Sequence, residues 1–370
     1  MAIPTNSFDA ELLLILSFVF LGLWSSTFKL AGNRWRFELY SFDFAFGVLA
    51  FAVVSSYTLG TFGSDLGFTD HLLVSSRTSQ ALAFIAGGLF AFGNMLLLSA
   101  TALLGLSFAY AIATAAAVLT LAAMQFTGPR ALFLAAAIGA ALLTIAFQAM
   151  GASRAEETLP AVTLPIIVRK SSSGRQIKGK GDSGSLPNST KGSIVAVLSG
   201  LAFGVSFYPL QRAVFQDFGL GAFAGLVVFS AGVLAATIVL NFYFMNIAVH
   251  GGSIGIKYYL RGTIGQHLLG IIGGIVCAAG ILSLLLLPSF PADAQPDKLW
   301  LAAVPLAASL LAIALGLSKW REQAEAPGSV TRSLLIGALF LVAAIGVFAL
   351  AMDKTVPLPI SGLKHPQLFG

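Results

Sequence analysis

Charge is what this chain has least of. Of its 370 residues only 10% are Asp, Glu, Lys or Arg, while 57% are hydrophobic. A soluble globular domain carries about 25% charged residues, so a water-soluble fold is excluded. Cysteine occurs once, at Cys277 inside an apolar run. No disulfide can form within the chain, and the redox compartment is not readable from it. Histidine is scarce too: His71, His250, His267 and His365 all fall by sequence in loops, at interfaces or in the tail. No H-E-x-x-H pair is present, and no paired carboxylates sit inside an apolar stretch. The chain is therefore not expected to be an enzyme, and neither a metal nor a cofactor is expected. A positive leader is also missing. The first apolar stretch, from Leu12, is preceded by Asp9 and Glu11 rather than Lys or Arg, so it reads as a retained span.

What remains is a series of apolar runs. A helix needs about 20 apolar residues to cross the hydrocarbon core. Ten runs qualify: 12–31, 40–61, 79–101, 105–125, 130–150, 192–213, 222–248, 264–287, 299–318 and 332–352. Nearly every connection is short. The exception, 151–191, holds a Ser run, two Gly-Lys pairs, Pro187 and scattered charge, the composition of a disordered basic linker. It divides the chain into two five-helix halves, 1–150 and 192–370. An odd number of spans per half requires the halves to be inverted, a common carrier architecture with its site at the midplane. The expected fold is all-α, ten transmembrane helices as two inverted five-helix repeats. Weak internal similarity agrees. Ser17 to Trp24 aligns with Ser199 to Ser206, and Gly87 and Gly93 match the spacing of Gly274 and Gly280, with small Ala83 and Gly270 one turn before.

Orientation follows from Lys and Arg. Only Arg77, Arg130, Arg212, Lys298, Lys354 and Lys364 lie on the side of the termini; the remaining basic residues gather on the linker side. The positive-inside rule then places the linker in the cytoplasm and both termini outside the cell membrane. Within the linker, Gly174 to Gly181 reads GRQIKGKG, close to a phosphate-cradling loop. It has no strand before it and no helix after it, and Gly181 stands where a magnesium-binding hydroxyl is needed. Nucleotide binding is excluded. Arg175, Lys178 and Lys180 serve orientation instead, and nucleic acid is not an expected partner.

Polar side chains inside a bilayer are costly and often functional. Asp43, near the start of the second span, reads as a proton-coupling carboxylate or as a first-turn acid on the helix dipole, with Lys29 or Arg34 as its partner. Asn94 shares a helix face with Gly87 and Phe90 and suits a ureide, an amide or a sugar hydroxyl, or else an interhelical hydrogen bond. Trp24 lies near the midplane, where it stacks on a ligand or packs. Tyr110 and Asn241 offer polar groups with the same two readings. Tyr208 precedes Pro209, which is expected to interrupt its helix. Trp24, Phe90, Asn94, Tyr110, Tyr208 and Asn241 are the substrate-binding candidates, and Asp43 is the proton-coupling one.

Several short motifs recur in order: Gly22-Leu23-Trp24; Tyr40-Ser41-Phe42-Asp43-Phe44; Gly87-Gly88-Leu89-Phe90-Ala91-Phe92-Gly93-Asn94; Gly105-Leu106-Ser107; Leu240-Asn241-Phe242-Tyr243-Phe244; Tyr259-Leu260-Arg261-Gly262; and Lys319-Trp320-Arg321-Glu322. This set resembles the ureide permeases of the drug/metabolite transporter superfamily, near the glucose/ribose porters. The resemblance implies ten helices, a cytoplasmic central loop and proton-coupled carriage of allantoin, uracil and related heterocycles. The second half departs at Ile281, where the family pattern has Asn. The superfamily also contains sugar porters and amino-acid or drug exporters. Expected partners are thus a small-molecule substrate, protons and lipid, with the chain a monomer or weak homodimer. A sensor or assembly subunit would share this hydropathy, and a flux assay separates the two.

Overall fold

The computed structural model describes residues 7–32, 35–61, 67–126, 130–158, 186–247, 249, 252–289 and 298–352. Among these residues all regular structure is helical: α1 (Ser7–Ala31), α2 (Phe37–Thr58), α3 (Phe68–Val74), α4 (Arg77–Leu104), α5 (Leu106–Met124), α6 (Ala131–Thr158), α7 (Asn188–Phe215), α8 (Gly221–Asn246), α9 (Ile264–Leu286), α10 (Lys298–Ser318) and α11 (Gly328–Met352). Two 3₁₀ turns, Ile256–Arg261 and Leu287–Ser289, flank α9. Nine helices among the described residues, all but α3 and α10, are long and apolar enough to cross a bilayer. In α10 the described apolar run is Ala303–Ser318. Lipid supplies no hydrogen-bond partner, so backbone satisfied within each helix is the form such segments take. The chain is an all-α, multi-pass membrane protein.

Several boundaries differ from the sequence reading, among them the starts of α1 at Ser7 rather than 12 and of α11 at Gly328 rather than 332. α2 begins at Phe37 rather than at 40, α6 continues to Thr158, and α7 starts at Asn188. Polar ends extend these helices beyond their apolar cores. Glu156 draws the last two together, accepting from Asn188 N at 2.9 Å and Ser189 N at 2.8 Å. Of the linker, 159–185 lies outside the described residues, as does Arg34. The short α3 was not foreseen; seven residues carry too little periodicity to be seen, and a single Asp70 contact to Gly67 N at 3.1 Å caps it. Pro209 does not interrupt α7, which is helical on both sides of it. A proline removes one backbone donor, a loss that transmembrane helices tolerate when neighbours hold the flanking turns.

Contacts between helix ends fix the topology. At one end of the bundle Gln148 Nε2 and Arg154 reach Leu334 O at 3.2 Å and Ser333 Oγ at 2.9 Å, and Arg36 Nη1 reaches Gly252 O at 2.6 Å. At the other, Ser56 Oγ bonds Phe223 O at 3.3 Å, Gln216 Nε2 bonds Ser79 Oγ at 2.8 Å and Arg130 Nη1 bonds Leu350 O at 3.1 Å. The long helices therefore alternate in direction, with α3 and the 256–261 turn at opposite ends. The main packed pairs are α4 with α7 and α8, α9 with α1 and α2, α5 with α6 and α7, α10 with α1 and α11, and the three pairs α2–α8, α5–α10 and α6–α11.

Several crossings bring backbones into direct contact, as where Gly200 of α7 meets the Ala113 carbonyl of α5, and two of them do so reciprocally. At α2–α9, a Cβ on Gly47 would collide with the Ile271 carbonyl and one on Gly274 with the Phe44 carbonyl. At α4–α8, a Cβ on Gly87 would collide with the Phe229 carbonyl and one on Gly232 with the Phe84 carbonyl. Each glycine sits one turn after the carbonyl that the opposing glycine touches. Apolar side chains gain nothing from leaving lipid, so close approach of this kind is what joins membrane helices. Gly87→Ala and Gly274→Ala should each destabilise by about 1–3 kcal/mol. Gly139→Ala, with open space around it, should gain up to about 1 kcal/mol from helix propensity. Thermal unfolding in detergent checks the opposite signs.

Candidate functional site

Two polar sites lie on the inner faces of these crossings. The first is an aromatic cluster deep in the bundle. Trp24 of α1 meets Phe44 of α2 at 5.3 Å and Tyr110 of α5 at 6.2 Å between ring centroids. Tyr40, one turn before Phe44, shares a 2.6 Å hydrogen bond between its hydroxyl and Thr27 Oγ1. Gly273 makes room for both hydroxyls, since a Cβ there would strike each of them. Trp24, Tyr40, Phe44 and Tyr110 are all buried. The Tyr110 hydroxyl lies beside that of Ser25, close enough for the two to pair, and neither has a further partner. A hydroxyl has one donor and two acceptor sites, so this pair beside flat rings keeps hydrogen-bonding capacity for a small planar molecule.

The second site is titratable. Asp43 lies six residues into α2, roughly 9 Å from the helix start at 1.5 Å per residue, twice as deep as the sequence-derived boundary implied. Lys29 is not its partner, and Arg34 lies outside the described residues. The Tyr259 hydroxyl donates to Asp43 Oδ1 at 2.6 Å, and His267 Nδ1 lies 3.0 Å from both carboxylate oxygens. Trp35 stands edge-on to His267, with centroids 4.9 Å apart, and Gly270 leaves the space that the Asp43 side chain fills. Burial, then the hydrogen bond and charge of Asp43, push the Tyr259 hydroxyl well up, so it remains a donor at neutral pH.

Lys29 has another role. Its Nζ is 2.7 Å from Glu322 Oε1. Glu322, between α10 and α11, also accepts from Leu106 N at 2.7 Å, Ser107 N at 2.9 Å and Ser107 Oγ at 2.7 Å. One carboxylate thus caps the positive end of α5. Gly105, with φ +84°, turns the chain sharply from α4 into α5 and leaves room for the Glu322 carboxyl. Lys29 is thus held by Glu322 in a partly buried ion pair and not by Asp43, the partner the sequence suggested.

The other candidates scatter. Phe90 packs at 5.3 Å from Phe203 and 5.4 Å from Phe229, inside the α4–α7–α8 contact rather than against Trp24. Asn94 is buried midway along α4 with Oδ1 unpaired. Asn241 is buried with both amide atoms unpaired. It lies one turn before Phe244, whose ring meets Phe37 at the start of α2, so it belongs to the end of the bundle. Tyr208 is 49% exposed with Arg212 over its ring at 5.8 Å. Near the end of α7 it has the place of an interfacial aromatic, not of a ligand contact. His267, Tyr259, Trp35, Thr27, Phe44 and Glu322 were missed as site residues. His267 follows the cap pair Thr263 and Gln266, a local sign that it begins a helix rather than lying in a loop.

No family model matches the chain, and no curated protein does. One solved structure, described only as "Crystal structure of protein", aligns over 93% of this chain and 97% of that one, with 17% identity and a TM-score of 0.47. So loose a likeness carries nothing about fold or function.

Burial pushes the Glu322 carboxyl up, but the Lys29 ammonium and the Leu106 and Ser107 amides outweigh it and hold the group below its ordinary value of 4.5. A depressed folded-state pKa contributes stability above the unfolded value and loses it as pH falls through the folded one. Thermal stability in detergent should therefore drop below the ordinary carboxylate range. Glu322→Gln should flatten that drop and cost about 2–3 kcal/mol at neutral pH.

Proposed function

We propose that the chain is a secondary active transporter of the drug/metabolite transporter kind, built from two inverted five-helix repeats with α10 as the ninth of ten spans. The observation that carries this reading is the correspondence between the two reciprocal backbone crossings. Taking α2 onto α8 and α4 onto α9 carries Gly47 to Gly232, Phe44 to Phe229, Gly87 to Gly274 and Phe84 to Ile271, with each collision reproduced. The same shift carries the cap Ser76, which accepts from Ser79 N, onto the cap Thr263, which accepts from Gln266 N. The neighbours follow: α4–α7 becomes α9–α1, α5–α7 becomes α10–α1, and α5–α6 becomes α10–α11. Inverted repeats that meet at a midplane site are suited to alternating access.

Protons are the coupling ion in this reading, held at Asp43. A carboxylate beside an imidazole and a phenol, inside a span, has few purely structural uses. The solute is a small, flat, polar molecule such as a ureide or a nucleobase, a class that fits the Trp24–Phe44–Tyr110 rings and the Ser25 and Tyr110 hydroxyls. The basic linker lies in the cytoplasm and both termini outside, as the distribution of Lys and Arg supports.

Purified protein in liposomes, loaded with ureides, nucleobases, sugars or amino acids, tests the reading by counterflow. Exchange confined to sugars or amino acids would replace the substrate class, and no exchange of any of them would remove the carrier. Asp43→Asn should abolish uptake driven by a pH gradient while leaving exchange between equal pools within about threefold of the parent. Trp24→Ala should weaken the thermal stabilisation given by whichever solute exchanges.

A further inference from the structure

The twofold correspondence does not extend to the titratable cluster. Asp43, Tyr259 and His267 fall on Val228, Leu72 and Gln80, which hold no titratable group. Gln80 spends its amide on Leu72 O at 3.0 Å and Ser75 Oγ at 3.1 Å. His71, at that same end, lays its ring against Gly221 rather than a carboxylate, and α8 contains no acidic residue. At the end bearing the 256–261 turn, exposure is graded: the Asp43 side chain is 3% exposed and that of His267 27%. His267 thus stands between Asp43 and water. Its Nδ1 faces the carboxylate, while Nε2 lies at the 256–262 strap, where a Cβ on Gly262 would come within 2.6 Å of it.

We propose that Asp43 exchanges its proton with only one aqueous side, that of the 256–262 strap, and that His267 relays it. A hydronium on that side gives a proton to Nε2. The imidazolium passes its Nδ1 proton to Asp43 Oδ2, while Tyr259 holds Oδ1. A neutral imidazole results, and its Nδ1 accepts back from the new carboxyl group. One proton has moved from solution to Asp43, and nothing is oxidised or reduced. The groups that face this pair are Tyr259 from the strap, Trp35 and Tyr40, with the Arg36–Glu38 pair at the start of α2. From α1 comes Thr27 through Tyr40, its Lys29 being held by Glu322.

This route gives the carrier reading its coupling step, but it can be tested without any solute. An imidazolium in contact with an indole quenches its fluorescence. The full-length protein is sealed into liposomes under a potassium–valinomycin clamp, and the pH of each compartment is stepped separately. The signal belonging to Trp35 is the part lost in Trp35→Phe. Sidedness is assigned with a membrane-impermeant maleimide on Lys257→Cys, an exposed strap position, against the buried Cys277. Quenching should follow the pH on the maleimide-accessible side and ignore the other. Asp43→Asn should leave the response one-sided, since His267 meets that aqueous side first, and His267→Gln should abolish it. Quenching that follows the far side or both sides, that survives His267→Gln, or that never appears in the parent protein overturns the proposal. A two-sided response would leave the carrier reading intact, and a failed counterflow assay would leave the proton route intact.

Discussion

Close backbone approach at glycine is the constraint on which the bundle depends, and four glycines make it reciprocal at two helix crossings. In lipid there is no hydrophobic gain from bringing apolar side chains together, so the bundle must be held by close fit and by hydrogen bonds. Gly47 with Gly274 and Gly87 with Gly232 supply the fit. Gly47, Gly274 and Gly232 lie near the middle of their helices and Gly87 a little before the middle of α4, and the polar groups sit on neighbouring turns. Asp43 occupies the space that Gly270 leaves empty one turn from the α2–α9 contact, and the Tyr40–Thr27 hydroxyl pair occupies the space beside Gly273.

The two polar sites are joined through α2. Asp43 and Tyr40 lie on successive turns of the same helix, and Tyr40 reaches α1 through Thr27, one turn from Trp24. A change in the charge of Asp43 alters what Tyr259 and His267 hold, and with them the seating of the strap on α2. In the proposed reading, a solute at Trp24, Phe44 and Tyr110 would bear on that same helix. Coupling of this form needs no long pathway, only one helix with two occupants.

Much of the fold was legible in the sequence because hydropathy reports on lipid directly. Nine of the ten expected spans fall on helices long and apolar enough to cross, their ends within about five residues except that of α6, and the Gly87 and Gly274 match was visible as spacing alone. The helix ends were less legible: Phe37 to Leu39 and Ala152 to Thr158 belong to helices whose last turns are stabilised by polar contacts rather than by apolar content. The site was legible in part. Asp43, Trp24 and Tyr110 stood out as polar or aromatic groups inside apolar runs. Their partners did not, since His267 and Glu322 are ordinary by composition and acquire meaning only from residues more than two hundred positions away. Tyr208 misled because a proline beside an aromatic suggests a broken helix, whereas α7 continues and the ring sits at its surface.

Glu322 behaves as a built-in ligand for the amino end of α5. Helix amino ends readily hold anions from solution; here the chain's own carboxylate already fills the place. The corner between α4 and α5, the link between α10 and α11, and the end of α1 are thereby tied to a single point. A single substitution at that carboxylate therefore removes a tie from three segments together.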